Sequence, residues 1–578
     1  MARSLAVTIG QWSDRGAKEV NQDFHGAMIP EEPTLSLKGI AVALADGISS
    51  SRVSRVASES AVKGFLTDYY CTADSWSVKT AVGRVLAATN SWLHSETRRS
   101  RWAEDRDQGY VCTFSGLVLK SATAHLFHVG DSRIHRLVGQ SLEQLTEDHR
   151  LVVAADQSYL ARAMGMAREV EIDYQAVALA RGDLFLLTTD GVHDVIDAKF
   201  VAEAIARHAD DLDAAAKAIV VEAYERGSTD NLTVQIVRVD ALPDGEASEL
   251  MGAATNLPPA PLLNARQVFE GYRIERQIHA SSRSHIYLAT DVDSGEAVAL
   301  KVPSIDMRGD AAYLKRFMME EWVARRIDSP HVAKSRPSTR RRDHLYTVGE
   351  FVDGQTLAQW MIDHPTPDLE VVRDIVEQIA KGLRAFHRKE MLHQDLRPAN
   401  IMIDRSGTVK IIDFGSTRVE GVLEAAPALD ATEVLGTAQY TAPEYYLGEG
   451  GTTRSDLYSL GVITYQMLTG RLPYGTRVAM ARTRAEQRRL TYESALDEGR
   501  EIPAWVDKVL ERAVAVDPAK RTEVLSEFTH ELRHPNPKDL ETRTLPLIER
   551  NPVRFWKTVS FLLAVVVVVQ LVLRLRGH

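Results

Sequence analysis

Short apolar runs alternate with alanine-rich segments along the first 240 residues of the chain. Three of the apolar runs, GIAVALADG, AHLFHVGDS and DLFLLTTDG, are rich in strand-forming residues, and each stops at an aspartate. In STDNLTVQIV the order is reversed, because the aspartate precedes the run. The segments RVASESAVKGFL and TAVGRVLAATNSWL have the composition and spacing of helices. The pattern therefore predicts a sheet-rich first domain flanked by helices, with acidic residues at the ends of its strands.

The aspartates at these strand ends are candidates for a metal site. A single Asp-Gly pair usually marks a turn, but here four acids, and a fifth in NQD, recur at the same kind of position. Carboxylates gathered in this way bind hard cations such as magnesium or manganese, and an adjacent glycine lets the backbone approach the ion. Without cations, so many buried carboxylates would be costly. The five aspartates are Asp23, Asp46, Asp131, Asp190 and Asp230.

Changes in composition divide the chain. Periodicity is lost and Pro, Gly and Ala accumulate between the two halves, and a shorter polar stretch follows the second half, as is typical of linkers. We expect a first domain at 1–240, a linker at 241–265, a second domain at 266–535, a juxtamembrane linker at 536–553 and a C-terminal segment at 554–576.

The C-terminal segment FWKTVSFLLAVVVVVQLVLRLR predicts a transmembrane anchor. Its nineteen residues from Phe555 to Leu573 would reach about 28 Å as a helix, which is close to the thickness of the hydrocarbon layer. Lys557 can extend to the interface, and Trp556 suits that region. Because the N-terminus carries no secretory signal, we expect a single-pass membrane protein whose catalytic domains lie in the cytoplasm.

Net charge bears on the kind of binding partner, and cysteine content bears on the cellular compartment. The net charge of −10 disfavours a nucleic-acid partner, since a polyanion requires clustered Lys and Arg. Cys71 and Cys112 are the only cysteines, too few for a disulfide framework or a zinc knuckle. This usage favours a reducing compartment.

The first domain resembles a known family in the order and amino-acid sequence of its motifs. NQDF, ADGISS, VGDSRIHRL, LTEDH, TTDGVHD and STDNLTV resemble the metal-dependent protein phosphatases of the PPM family across residues 5–240. The resemblance implies an α/β/β/α sandwich with a two-metal cluster in the cleft between its sheets. It also implies removal of phosphate from phospho-Ser/Thr proteins by a water that the metals activate.

The resemblance assigns a role to each candidate ligand. It implies that Asp46 bridges the two ions and that Asp190 and Asp230 complete the second. Lysine stands where the family usually has an arginine for the substrate phosphate, and it lacks the bidentate fork of a guanidinium. The remaining implied roles are Gly47 as a carbonyl ligand, Asp23 as support for the first ion, Asp131 for an additional metal or a water, and Lys18 for the substrate phosphate.

The second domain resembles the eukaryotic-like Ser/Thr protein kinases over residues 272–530. The segments VALKV, FMMEEWVARRI, LHQDLRPANIMID, KIIDFGST, GTAQYTAPE, SDLYSLGVITYQMLTGRLPY and VDPAKR follow in the family order. The resemblance implies ATP with magnesium, and a structural salt bridge between Glu444 and Arg521. It implies these roles: Lys301 on the α and β phosphates, Glu320 (or Glu321) fixing that lysine, Asp395 on the substrate hydroxyl, Arg397 on the γ-phosphate, and Asn400 and Asp413 on magnesium.

The loop expected to cover the phosphates contains no glycine. IHASSRSHIY places His279, Ser281 and Ser284 where the family has its three glycines. Each side chain restricts the backbone, at a cost on the order of 1 kcal/mol. The two serines can return part of this through hydroxyl hydrogen bonds, and we assign both, with Glu350 of the hinge segment EFVDG, to nucleotide binding.

Together these patterns predict a multidomain α+β chain: the phosphatase sandwich, a bilobal kinase, and one C-terminal transmembrane helix. We expect a membrane-anchored bifunctional signalling enzyme whose partners are ATP and Ser/Thr or phospho-Ser/Thr proteins, including the chain itself. Two alternatives remain open at this point. One is an active phosphatase regulated by a nucleotide-binding pseudokinase, and the other is a membrane-tethered scaffold without turnover.

Overall fold

A computed structural model describes residues 4–105, 108–154, 157–243, 257–281, 283–307, 310–336, 340–425, 438–497, 500–537 and 555–566. Parts of both predicted linkers lie outside these residues, and the predicted domain boundaries stay predictions. The chain divides into two compact units. The first comprises Met1–Gly354, Gly382–Asp395 and Lys410–Leu435, and the second comprises Gln355–Lys381, Leu396–Val409 and Gly436–His578.

The strands and helices are numbered in chain order. The strands are β1 Ala6–Asp14, β2 Phe24–Met28, β3 Ile40–Ala45, β4 Phe114–Lys120, β5 Thr123–Val129, β6 Arg133–Val138, β7 Ser141–Gln144, β8 Arg150–Ala154, β9 Gln157–Leu160, β10 Asp173–Ala178, β11 Leu184–Thr188, β12 Leu232–Ala241, β13 Val268–Phe269, β14 Tyr272–Ala280, β15 Ser284–Asp291, β16 Ala297–Pro303, β17 Thr347–Glu350, β18 Gly354–Thr356, β19 Met391–Leu392, β20 Ile401–Asp404, β21 Val409–Ile411 and β22 Arg418–Val419. The helices are α1 Thr34–Lys38, α2 Ser54–Cys71, α3 Val78–Arg99, α4 Asp190–His193, α5 Ala198–Arg207, α6 Leu212–Glu225, α7 Ala311–Arg326, α8 Leu357–Asp363, α9 Leu369–His387, α10 Glu420–Ala425, α11 Thr453–Thr469, α12 Arg484–Gln487, α13 Ala504–Ala513 and α14 Leu525–Glu531.

Two five-stranded sheets form the first part of the first unit. One has the order β1-β12-β11-β6-β7 and the other the order β10-β5-β4-β3-β2. Neighbouring strands in both sheets are antiparallel. One core fills the space between the sheets, and two further cores join their outer faces to helices. The predicted α/β/β/α sandwich is therefore confirmed.

Strand β3 shows how the sequence produces these layers. All six of its residues are buried, because both faces of the sheet are covered. The larger side chains Ile40, Val42 and Leu44 face the other sheet, whereas the alanines between them pack under α2 and α3. Small side chains on the helical face let the two helices lie close to the strand. The predicted helical segments near residues 55–66 and 80–93 correspond to α2 and α3.

A third five-stranded sheet, with the order β13-β14-β15-β16-β17, lies later in the same unit. Its buried face is formed by residues such as Ile274, Tyr287 and Leu300. Helix α7 begins at its N-cap Asp310, whose carboxylate accepts a hydrogen bond from the backbone of Tyr313. The sequence predicted this helix from FMMEEWVARRI, and the sheet and helix supply one half of the predicted kinase fold.

The second unit is built around α11, a helix that is buried on most of its circumference. Tyr458 and Val462 of this helix join a core with Tyr474 and Val514. The Arg521 guanidinium forms two 2.7 Å bonds to the Glu444 carboxylate, and both side chains are buried. The predicted structural salt bridge between these residues is therefore confirmed.

The predicted transmembrane helix is wrong. Within 554–576, residues 555–566 are helical, and the others lie outside the described residues. At 1.5 Å per residue the described helix is about 18 Å long, against the ~30 Å of a hydrocarbon layer. In the described parts of the chain, no helix has the length and apolar character needed to cross a membrane. The predictions of a membrane partner and of membrane localisation both depended on this helix, so they are wrong as well.

Candidate active sites

The aspartate loops of the sandwich lie where its strands end. Strand β3 ends at Ala45 and β11 at Thr188, while β12 begins at Leu232. Gly191 is the point at which two of the loops meet, because a Cβ there would lie 2.2 Å from the Asn231 carbonyl oxygen. This close approach brings Asp190 beside Asp230, and their charges act on each other.

Asp23 and Asp46 are neighbouring carboxyl groups, of which Asp23 is buried and Asp46 is half-buried. Asp23 Oδ2 accepts hydrogen bonds from the hydroxyls of Thr189 (3.0 Å) and Thr233 (2.7 Å). Its Oδ1 is buried and has no hydrogen-bond partner in the described chain. Burial raises the pKa of Asp23 to about 6. Burial, and then the neighbouring carboxylates of Asp23 and Asp190, hold the pKa of Asp46 well above its usual value. Such raised values indicate negative charge that a bound cation would stabilise.

The backbone around Asp46 is fixed by Thr113. Thr113 N–H donates to the Asp46 carbonyl (2.8 Å), and Asp46 N–H donates to the Thr113 hydroxyl (2.9 Å). At Gly47 a Cβ would lie 2.9 Å from the Gln22 carbonyl oxygen, so the residue next to the acid has no room for a side chain. The close packing explains the glycine at this position.

Arg150 is a member of this site that the sequence analysis did not identify. Its Nε lies 2.6 Å from Asp131 Oδ2, and its Nη2 lies 2.8 Å from Asp190 Oδ2. Burial, followed by the Asp131 charge, still raises the pKa of Asp190 to about 7, although Arg150 acts in the opposite direction. The available signal was the arginine directly after LTEDH, at the start of β8.

Lys18 also pairs with an acid of the site. Its Nζ lies 3.2 Å from the Asp230 carboxylate and 3.1 Å from the Ser49 hydroxyl. Three of the aspartates are thus engaged by Arg150 or Lys18. Within the described residues, no group of three or more His, Cys, Asp or Glu side chains is positioned to hold a metal ion. The donors nevertheless fit hard divalent cations in kind, because they are carboxylate oxygens and one of them is buried without a partner. Binding would require the acids to exchange part of their pairing with Arg150 and Lys18.

The kinase-type site in the first unit is an ion-pair network. Lys301 Nζ lies 2.7 Å from Glu320 Oε2 and 3.3 Å from Asp413 Oδ1. Burial acts to raise the pKa of Asp413, but Lys301 and the Gly415 N–H hold it below its usual value. Burial raises the pKa of Glu320 in spite of Lys301. The alternative residue Glu321 instead binds Arg342 at 2.7 Å, so the network selects Glu320.

The glycine-free loop is closed by a side chain. Ser281 Oγ accepts hydrogen bonds from the backbone N–H of Ser284 (3.1 Å) and Arg283 (3.3 Å), and it donates to the Ser284 carbonyl (3.1 Å). None of the described residues of this turn has a positive φ. The turn between β14 and β15 is therefore built without the conformational freedom of glycine.

The Glu350 side chain of the hinge strand is already engaged. Its Oε1 lies 2.6 Å from Lys410 Nζ, and its Oε2 accepts from the Lys334 N–H. The carboxylate assigned to nucleotide binding is therefore already held in an ion pair with Lys410. In the second unit, Arg397 Nε lies 3.2 Å from Asn400 Oδ1, so these two predicted residues lie together.

Family comparisons match each half of the chain. Residues 12–223 match the family model for protein phosphatase 2C, and residues 272–535 match that for the protein kinase domain. The serine/threonine-protein kinase PrkC of Bacillus subtilis is 28% identical over 276 residues, which cover 47% of this chain and 41% of that protein. PknA of Corynebacterium glutamicum is 36% identical over 208 residues, covering 35% of this chain and 44% of that protein. The chain thus spans less than half the length of these two relatives.

Solved structures are similar to each half separately. The serine/threonine phosphatase PstP/Ppp of Mycobacterium tuberculosis is 22% identical, with a TM-score of 0.35, and covers 41% of this chain and 99% of that chain. The PknI kinase domain of Mycobacterium tuberculosis is 26% identical, with a TM-score of 0.37, and covers 47% of this chain and 99% of that chain. With both family models matched in order, the chain joins a phosphatase 2C-type domain to a serine/threonine protein kinase domain.

Proposed function

We propose that the chain is a bifunctional signalling enzyme that removes phosphate from phospho-Ser/Thr proteins and phosphorylates Ser/Thr with ATP. The kinase half is supported by the contact of Lys301 with both Glu320 and Asp413, since this arrangement holds a half-buried cation at the position proposed for the nucleotide phosphates. The relatives are named as serine/threonine-protein kinases, and no observation favours the pseudokinase alternative. The matches to residues 12–223 and 272–535 lie within the proposed domains 1–240 and 266–535 and support that division.

In the kinase reaction each residue has a distinct task. Lys301 holds the α and β phosphates, and Glu320 keeps its ammonium in place. Asp395 orients the substrate hydroxyl and takes its proton. Magnesium, when bound with ATP, neutralises charge on the transferred group; Asn400 and Asp413 would hold it. Arg397 binds the γ-phosphate as a guanidinium, which can form two parallel bonds to phosphate oxygens.

In the phosphatase reaction the aspartates at the strand ends would hold magnesium or manganese. Divalent ions at such a site neutralise phosphate oxygens and lower the pKa of the attacking water. Lys18 binds the substrate phosphate through a single positive charge. The ligands are proposed to be Asp23, Asp46, Asp131, Asp190, Asp230 and the Gly47 carbonyl.

A phosphorylation time course with labelled ATP tests the proposal. The full chain should incorporate phosphate, and Asp395→Asn should reduce incorporation to background. Hydrolysis of 4-nitrophenyl phosphate with manganese should persist in Asp395→Asn and be lost in Asp190→Asn. Unchanged incorporation in Asp395→Asn would refute the kinase half, and hydrolysis that survives Asp190→Asn would refute the phosphatase half.

A further inference from the structure

Within the first unit, a surface of the phosphatase-type domain holds a segment of the kinase-type domain. We call the phosphatase residues Asp74–Val78, Thr80 and Lys120 the docking surface, and the kinase residues 388–390 and 421–424 the docked segment. Both belong to the same compact unit. The contacts between them involve buried charge, backbone hydrogen bonds and a position that only glycine can fill.

The buried charge is Lys120, at the end of β4. Its side chain is 1% exposed, and its Nζ lies 3.1 Å from Glu424 Oε2 and 2.6 Å from the Gly421 carbonyl oxygen. Both of these partners lie on the kinase side. Burial lowers the pKa of Lys120, and the charge of Glu424 opposes that effect. An ammonium without partners is costly to bury. The docked segment supplies the carboxylate and the carbonyl oxygen that bind the Lys120 ammonium.

The first turn of α3 receives two kinase carboxylates. Val78 N–H donates to Glu424 (2.9 Å), and Ser77 N–H donates to Glu390 (2.7 Å). The Thr80 hydroxyl donates to the other oxygen of Glu390. Backbone N–H groups at a helix N-terminus lack partners in the helix and carry partial positive charge, so they favour these acids.

Gly421 fixes the fit between the two surfaces. Its N–H donates to the Ser75 carbonyl (3.0 Å), and a Cβ at this position would lie 2.6 Å from the carbonyl oxygens of Asp74 and Trp76. A side chain would therefore force the backbones apart. The Trp76 indole N–H adds a bond to the Arg388 carbonyl (2.8 Å).

The kinase segments that contact the docking surface lie close in sequence to the proposed catalytic groups of this unit. Asp74 pairs at 3.0 Å with Arg326, the last residue of α7, and that helix also carries Glu320. Glu390 precedes Asp395 by five positions, and Glu424 follows Asp413 by eleven. The docking surface thus contacts three segments that hold the lysine partner, the proton acceptor and a magnesium ligand of the proposed kinase site.

We propose that the phosphatase-type domain serves as a positioning partner for the kinase-type domain, and that this contact keeps the Lys301–Glu320–Asp413 network assembled. The consequence for nucleotide binding rests on the proposed kinase function, whereas the contact itself does not. The kinase domain of this chain therefore depends on the phosphatase domain for its ATP affinity, independently of phosphatase turnover.

The test uses the full chain and two variants with different modes of disruption. Glu424→Gln removes the charge opposite Lys120, and Gly421→Ala adds a methyl group that the docking surface cannot accommodate. The matched control is Glu420→Gln in the same helix, because Glu420 pairs at 3.0 Å with Arg418 and not with the docking surface. Hydrogen exchange of residues 388–391 and 418–424, magnesium-ATP affinity, and manganese-dependent hydrolysis of 4-nitrophenyl phosphate are measured for each protein.

Both disrupting variants should raise exchange in the docked segment by about tenfold or more, the change that 1.4 kcal/mol produces. They should weaken ATP binding while hydrolysis of 4-nitrophenyl phosphate, which reports a folded phosphatase domain, persists. Unchanged exchange in both variants would overturn the contact. Faster exchange with unchanged ATP affinity would overturn the positioning role. If the parent chain binds no ATP, the proposed kinase function fails, while the exchange measurement still decides whether the contact exists.

Discussion

Arg150 lies 2.8 Å from Asp190, an acid assigned to the phosphatase metal site, and it also lies 2.6 Å from Asp131. The guanidinium thus joins the two acids through fixed positive charge. The family resemblance implies that Asp131 serves an additional, weaker metal or orients a water. In this chain an arginine side chain takes part of the charge compensation that such a cation would give.

Replacing Arg150 with glutamine should therefore strengthen metal binding. The substitution frees two carboxylates and removes a competing positive charge, so we expect manganese to bind about tenfold more tightly, equivalent to ~1.4 kcal/mol. Isothermal titration calorimetry on the full chain measures the affinity. Arg133→Gln is a suitable control, since that arginine pairs with Asp148 outside the proposed ligand set. Equal or weaker manganese affinity in Arg150→Gln would contradict the expectation.

Two adjacent glutamates provide a test of the kinase network. Glu320 binds Lys301, whereas Glu321 binds Arg342. Glu320→Gln should lower kcat/KM for phosphorylation by at least about a hundredfold, because a neutral amide no longer holds the Lys301 ammonium by charge and leaves Asp413 as its charged neighbour, a loss of ~3 kcal/mol or more. Glu321→Gln should lower thermal stability and leave kcat/KM within a few-fold. Equal losses of kcat/KM in the two variants would show that Glu320 has no special role.

Local patterns predicted much of this fold. Strand β3 could be identified because its apolar run stops at Asp46, and α7 because FMMEEWVARRI has helical spacing. The buried Glu444–Arg521 pair followed from the order of the kinase segments. In each case the information lies within a short stretch of chain or in a family motif.

Contacts between distant segments could not be predicted in the same way. Lys120 and Glu424 are 304 positions apart, and neither stands in a motif that names the other. The Arg150 contacts depend on how the segment after LTEDH returns to the strand ends. The C-terminal apolar run was long enough by composition, but helix length in the described residues decided against a membrane span.

The Glu444–Arg521 pair should make a large contribution to stability. The two side chains are 5% and 0% exposed, so truncating one leaves a buried charge without its partner. Glu444→Ala should lower the free energy of unfolding by about 3–5 kcal/mol, measured by urea denaturation. Glu449→Ala is the matched control, because Glu449 pairs with Arg484 on the surface and should cost less than about 1 kcal/mol. A loss below 1 kcal/mol in Glu444→Ala would exclude the structural role.

The hydroxyl of Ser281 should support ATP binding. Its three hydrogen bonds close the turn that lacks glycine. Ser281→Ala should weaken ATP affinity about fivefold, the effect of losing roughly 1 kcal/mol of net hydrogen bonding. The control is Ser294→Ala in the next hairpin, where Ser294 accepts from the Glu296 N–H. Fluorescence titration with a labelled ATP analogue measures the affinity of each variant. Equal affinities in the two variants would show that the Ser281 turn does not contribute to ATP binding.

The two opposing activities proposed for this chain lead to a final prediction about phosphate turnover. If the phosphatase domain removes phosphates that the kinase domain adds to the same protein, Asp190→Asn should accumulate more phosphate than the parent during incubation with labelled ATP. The double variant Asp190→Asn/Asp395→Asn should accumulate none, because Asp395 is needed to activate the substrate hydroxyl. Adding the separately prepared Asp395→Asn chain, which retains the phosphatase, to phosphorylated Asp190→Asn should release phosphate when manganese is present. Equal accumulation in the parent and Asp190→Asn would mean that the phosphatase acts on other proteins, since the chain's own phosphates would then be out of its reach.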